Sequence, residues 1–264
     1  MSLGLTLLVA LVAGCAAPPR DSHIPDFAKA PYEPFARQAA VAIAIREWRL
    51  FGESVALEAD SQEAREAESY HPEQIAGLWQ RIGEYWWLAL YADQPARART
   101  GKHDERGVPF QPGQDAPYAW SAVFISYVMR IAGAGPGFRY SAAHAEYINE
   151  ARRASLGQAP TRRLWAERIE AYAPQLGDLV CFGRAGSYGM TFDALPTPRH
   201  FASHCDMVVE VESGRLAVIG GNVNDAVTLK YVAITADGRL AGADGAALDR
   251  RYPWFTVLRV LYDR

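Results

Sequence analysis

No stretch beyond residue 15 approaches the roughly 20 apolar residues that a membrane-spanning helix needs, so no such span is expected after that point. Positive charge is not in surplus. The 27 Lys and Arg against 30 Asp and Glu leave a net charge of −3, which gives no electrostatic reason to expect a nucleic-acid partner. Internal repeats are lacking, and nothing marks a second domain. Cysteine is sparse: besides Cys15 there are only Cys181 and Cys205, both in strand-like segments. A bridge between neighbouring strands requires a close, suitably oriented Cα pair. Two buried thiols are therefore the simpler expectation, with a disulfide as the alternative. What is abundant is aromatic. Seven Trp and 13 Tyr imply a large core or a groove with aromatic walls.

The N-terminus also lacks something, because Met1 to Leu8 carries no Lys or Arg. Leu3 to Val12 is nevertheless an apolar run of signal-peptide length, too short to span a bilayer. It ends in Leu11-Val12-Ala13-Gly14-Cys15, which resembles a bacterial lipobox. That resemblance implies a signal peptide over residues 1–14, cleavage before Cys15 and lipidation of its sulfur, giving membrane association through a lipid anchor. Ala16 follows the Cys, so the implied location is an exported lipoprotein of the outer membrane facing the periplasm. Residues 15–34 hold five prolines and read as an extended tether between the lipidated Cys and a domain over residues 35–264.

Within that domain, helices precede strands. Phe35 to Phe51 reads as a helix stopped by Gly52. Pro72 to Tyr91 follows a 3.6-residue apolar period, and Trp120 to Ile131 does so more strongly, with Gly133 as its stop. Ser141 to Arg153 and Thr161 to Tyr172 are further helix candidates. Residues 53–70 read as an exposed helix or loop, and 94–117 as a loop. From Gly177 the pattern is β, with strands expected at 178–182, 205–212, 215–221, 226–235 and 255–262 and turns at Ser213-Gly214 and Asp237-Gly238. The fold class is thus α+β, N-terminal helices packed on a C-terminal antiparallel sheet.

Ser121 stands at the expected start of the 120–131 helix. A nucleophile there gains from the helix dipole, and backbone N–H groups at the same end can serve an oxyanion. A serine is not ionised by that field at neutral pH, so it needs a general base. A three-residue turn at Glu212-Ser213-Gly214 would pair Val208 with Val218 and His204 with Asn222 on one sheet face. Asn222 would then orient the His204 ring. A two-residue turn would instead set Cys205 opposite Asn222. The blander alternatives are Ser121 as a helix cap, His204 as a strand-end residue and Asn222 as a turn residue.

Trp120-Ser121-Ala122-Val123-Phe124-Ile125-Ser126, Gly177-Asp178-Leu179-Val180, the His204 to Val211 strand and Gly221-Asn222 resemble the sequence blocks of CHAP-type amidases and NlpC-type cell-wall peptidases. Together with Tyr140-Ser141-Ala142-Ala143-His144 and His204-Cys205-Asp206, the blocks more closely resemble the bacterial domain-of-unknown-function family 2272, over about residues 36 to 262. The wider resemblance implies a papain-like fold and amide hydrolysis in peptidoglycan or cell-wall peptide. It casts Ser121 as nucleophile in place of the usual Cys, His204 as base and Asn222 as orienter. Asp206 replaces a Gly of those enzymes. It lies on the His204 face two residues along, as an orienter or a substrate contact. Trp120, His144 and His200 are further candidates for orienting or contacting. A metal held by His200, His204, Asp206 and His144 is a weaker reading, because the spacing forms no tight motif. No metal or cofactor is expected. The connection from Phe182 to Ser203 is long enough for a lid or binding loop. The alternative to a hydrolase is a non-catalytic binding module that kept the groove and lost the thiol.

Overall fold

The structure, a computed structural model, describes residues 34–56, 71–104, 106–111 and 118–262. The expected signal segment, the lipidation site Cys15 and nearly all of the tether lie outside the described residues, as does 57–70. Four α-helices are described: α1 (Arg37–Leu50), α2 (Leu78–Ala89), α3 (Ser121–Ile131) and α4 (His144–Ser155). Six strands follow: β1 (Leu164–Glu167), β2 (Leu179–Gly183), β3 (Ser203–Glu212), β4 (Arg215–Val223), β5 (Ala226–Ala233) and β6 (Trp254–Val260). They form one antiparallel sheet in the order β1-β6-β2-β3-β4-β5. The α+β class and the order of helices before strands follow the sequence pattern. No described helix is long and apolar enough to cross a membrane.

The sheet is covered on both faces, and the strand period of two decides which residues go where. Leu179, Cys181, Cys205, Met207, Ile219 and Leu258 turn to the helices. Val180, Phe182, Val208, Val218, Val232 and Val257 pack with Ile234, Leu240 and Ala241 from the chain after β5. The α1 helix forms where expected and buries Ala40, Ala44 and Glu47. Buried Glu47 is compensated by Arg46, Arg81 and the hydroxyl of Tyr85. A buried carboxylate needs such partners.

Two expectations are corrected. Residues 161–172 are not a helix. Leu164 and Ala166 alternate inward with half-buried Trp165 and Glu167, and the segment pairs with β6 as Leu164 opposite Val260 through Glu167 opposite Val257. An edge strand of four residues carries too short a pattern to separate the two periods. Cys181 and Cys205 are bonded to each other, not free thiols. They stand directly opposite in β2 and β3 with Cα atoms 4.1 Å apart, so the register itself supplies the required proximity.

The β3–β4 hairpin reaches the expected register by another route. The turn has two residues, with Glu212 opposite Arg215 and Gly214 at φ 81°. A bulge between Val208 and Glu210 then shifts the pairing by one, so that Val208 faces Val218 after all. The long 183–203 connection is pinned rather than loose. Phe192 and Leu195 enter the core, and the Asn149 amide exchanges two hydrogen bonds with the Thr197 backbone.

Gly221 shows how closely α3 approaches the sheet. A Cβ there would lie 2.5 Å from Phe124 Cβ and 2.7 Å from the Trp120 ring. Gly221→Ala is therefore expected to push α3 off β4 and destabilise the protein by about 1–3 kcal/mol, the usual cost of overpacking. Urea unfolding of the variant against the wild type measures this.

Candidate active site

The first turn of α3 carries the serine. Trp120 occupies the cap position, so Ser121 is the first helical residue and its hydroxyl does not cap. The hydroxyl goes to a histidine instead: Ser121 Oγ lies 2.8 Å from His144 Nε2. His144 opens α4, and a serine pair places it there. Ser126 on α3 donates to the Ser141 carbonyl at 2.9 Å and accepts the Ser141 N–H at 3.1 Å. Ser141 Oγ accepts the Ala143 N–H at 3.0 Å. The chain into α4 is thus tied to α3 five residues beyond Ser121. One helical turn further, Tyr147 brings its hydroxyl to His144 Nδ1.

A second polar chain runs across the sheet beside this one. His204 Nε2 lies 2.8 Å from Asp206 Oδ1, and Lys230 Nζ lies 2.6 Å from Asp206 Oδ2. His204 and Asp206 share one face of β3, while Lys230 comes from β5 on the far side of β4. The intervening position is Gly220. A Cβ there would sit 2.7 Å from His204 Nε2 and would collide with Asp206 Oδ1. The glycine is needed for space rather than for backbone freedom. Phe182 and Tyr252 lie 5.0 and 4.9 Å from Lys230 Nζ by their ring centroids, and Phe182 also packs on the His204 ring at 5.1 Å. The His144 and His204 rings are 5.2 Å apart, which joins the two chains into one cluster.

Every polar member of the cluster is buried. Burial pulls the His144 imidazole well below its ordinary value, with His204 adding to the effect, so His144 is neutral. Burial also lowers His204, although Asp206 opposes this. Burial pushes Asp206 upward, but Lys230 first and then His204 outweigh it and hold the carboxylate ionised, well below the usual range. Burial likewise lowers Lys230, and Asp206 offsets the effect. The Asp206–Lys230 pair stabilises chiefly in the sense that neither partner can be removed cheaply. Breaking such a pair costs about 3–5 kcal/mol because the other charge is left alone in the core.

Close contacts join Ser121 to His144, His144 to His204 and His204 to Asp206, and none is found for Asn222 among the described residues. Asn222 is half-buried at φ 55°, in the irregular stretch where β4 leaves its register with β5, and its side chain makes no hydrogen bond among the described residues. Asp206, two residues along the same strand, takes the orienting contact to His204. Trp120 donates from Nε1 to Glu73 at 2.5 Å, and Lys102 pairs with the same carboxylate at 2.6 Å. That contact fixes the start of α3. His200 is exposed, unlike the buried members of the cluster. No group of three or more His, Cys, Asp or Glu among the described residues is arranged to hold a metal.

Sequence reasoning missed Tyr147 and Lys230. Tyr147 stands three residues after His144 on a helix, a spacing that places it on the same face. Lys230 is a lone cation in an otherwise apolar strand, a signal of a buried partner.

Residues 73–260, more than two thirds of the chain, match the family described as "Uncharacterized protein conserved in bacteria (DUF2272)", and the chain belongs to that family. No curated protein and no solved structure matches it.

The two neutral histidines give the fold a pH dependence of definite sign. Unfolded, they bind protons near pH 6.5, while the folded state resists this. The folded state therefore loses stability as pH falls below about 6.5. Asp206 acts in the same direction, but only below about pH 4. The thermal midpoint is expected to drop between about pH 7.5 and 5.5, with a smaller drop in His144→Gln. Thermal scans monitored by circular dichroism read both.

Proposed function

We propose that the protein is a serine-type hydrolase of the cell envelope, cutting an amide or ester in peptidoglycan peptide. The observation that carries this reading is the cluster at the start of α3: Ser121 Oγ, on the first helical residue, lies 2.8 Å from His144 Nε2, and the His144 ring lies 5.2 Å from that of His204. An oriented Asp–His pair lies one ring away. Nucleophile, imidazole and carboxylate are the parts that acyl transfer requires, recognised by geometry rather than by order in the chain. In this reading Ser121 attacks the carbonyl, and His204, oriented by Asp206, is the general base. Backbone N–H groups in the first turn of α3 face the developing oxyanion.

The substrate class rests on the resemblance of the Ser121, Gly177-Asp178 and His204 blocks to CHAP-type and NlpC-type enzymes, and the packing of α3 against β3 and β4 supports a papain-like reading. The lipobox-like Leu11 to Cys15 supports an exported lipoprotein anchored in the outer membrane. The Cys181–Cys205 disulfide agrees with an oxidising compartment. One observation favours the alternative of a non-catalytic wall-binding module. Ser121 and His144 are only 6% and 4% exposed, so substrate reaches Ser121 only through movement of covering residues.

Fluorophosphonate labelling of the purified full chain separates the two. A hydrolase is labelled at Ser121, and Ser121→Ala and His204→Ala both lose the label. A protein that takes no label, yet binds peptidoglycan equally well as wild type and as Ser121→Ala, is the binding module.

A further inference from the structure

The hydrogen inventory of the cluster assigns different tasks to its two histidines, and the assignment rests on the hydrolase reading above. Asp206 is an ionised carboxylate and can only accept. The proton of neutral His204 is therefore on Nε2, facing Oδ1 at 2.8 Å. His204 Nδ1 is then a bare lone pair, buried and without a hydrogen-bond partner among the described residues.

His144 is set the other way round. Tyr147 is fully buried, and burial raises its hydroxyl well above the ordinary phenol value, so it keeps its proton. The one acceptor that this hydroxyl meets among the described residues is His144 Nδ1. A buried hydroxyl left without an acceptor is costly, so Tyr147 donates to Nδ1. The proton of neutral His144 must then sit on Nε2 and donate to Ser121 Oγ at 2.8 Å. The opposite tautomer would strand the Tyr147 proton in the core. This one leaves unbonded only the Ser121 hydroxyl proton, on a side chain that keeps some exposure.

We infer that His144 is not the base of this site but a hydrogen-bond donor to Ser121 Oγ, locked in that tautomer by Tyr147 as a positioning residue, while His204 Nδ1 receives the serine proton. In the acylation step the Oγ–H proton passes to His204 Nδ1, directly after rotation of the Ser121 side chain or through one water. The Oγ electron pair forms the bond to the carbonyl carbon, and the C=O π pair moves onto oxygen. The imidazolium, balanced by Asp206, returns the proton to the departing amine or alcohol as the tetrahedral centre collapses to an acyl-serine. Water then repeats the sequence, with its proton going to His204. In that second half Oγ is the leaving group, and the His144 Nε2–H stabilises the charge that returns to it. A donor on Oγ supplies for serine part of what a low thiol pKa supplies for cysteine.

His144→Gln tests this, because the Gln amide keeps an N–H near the Nε2 position and cannot act as a base. Fluorophosphonate labelling of the full chain is expected to slow by about tenfold at most in His144→Gln. In His144→Ala it is expected to slow by about 10²-fold, the scale of losing one oxyanion-type donor. His204→Gln is expected to abolish labelling. Equal loss in His144→Gln and His144→Ala would make His144 the base and overturn the assignment. The ¹⁵N–¹H NMR spectrum decides the tautomer without any need for activity. The wild type is expected to show His144 protonated at Nε2, and Tyr147→Phe a shift toward the Nδ1 form. A wild-type His144 protonated at Nδ1 overturns the inference on its own. If no variant is labelled while His144 is protonated at Nε2, the hydrolase reading fails with the catalytic role, and only the tautomer assignment survives.

Discussion

Asp206 is an ionised carboxylate with no exposed surface, and the centre of this molecule is arranged around keeping it so. An unpaired carboxylate cannot remain ionised in such a position. Lys230 must therefore reach it across β4, and His204 must present an N–H to its other oxygen. That geometry requires β3 and β5 to flank β4, and requires position 220 to have no side chain. The bulge at Val209 belongs to the same set of constraints. Without it, the two-residue turn would put the opposite face of β3 over Gly220.

Pairing also fixes proton positions. Because Asp206 and Lys230 are charged and paired with each other at 2.6 Å, His204 is oriented yet neutral, and its Nδ1 has no partner among the described residues. Because Tyr147 is buried and protonated, His144 presents a donor. Two neutral imidazoles whose rings are 5.2 Å apart thus differ in what they offer, and the difference comes from the partner behind each ring. On the proposed reading this division compensates for the use of serine rather than cysteine as nucleophile. A thiol is activated by field alone, whereas a hydroxyl needs an acceptor for its proton and a donor for its charge.

Much of this was legible in the sequence, and the parts that were not share a cause. The α3 stripe, the Ser121 position, the places of β2 to β6 along the chain and the shared face of His204 and Asp206 follow from local periodicity. Local rules fail where a long-range partner decides. Thr161 to Tyr172 looks helical until β6 pairs with it. Asn222 looks like a regular strand residue opposite His204, but the β4–β5 pairing is irregular between Gly220 and Val223 and the residue itself has a positive φ. His144 was visible as a candidate, but its contact with Ser121 depends on the Ser126–Ser141 tie between two helices, which no spacing rule reports. Lys230 is meaningful only once β5 is known to lie one strand from Asp206.

The central claim is that Ser121 is a nucleophile in acyl transfer. The most direct measurement is intact-protein and peptide mass spectrometry of the full chain mixed with p-nitrophenyl acetate, alongside the time course of nitrophenol release. The account predicts a burst of nitrophenol and an acetyl group on Ser121 that decays as the ester is hydrolysed. An adduct confined to other residues, or no burst and no acetylation at Ser121 on that time scale, would contradict it.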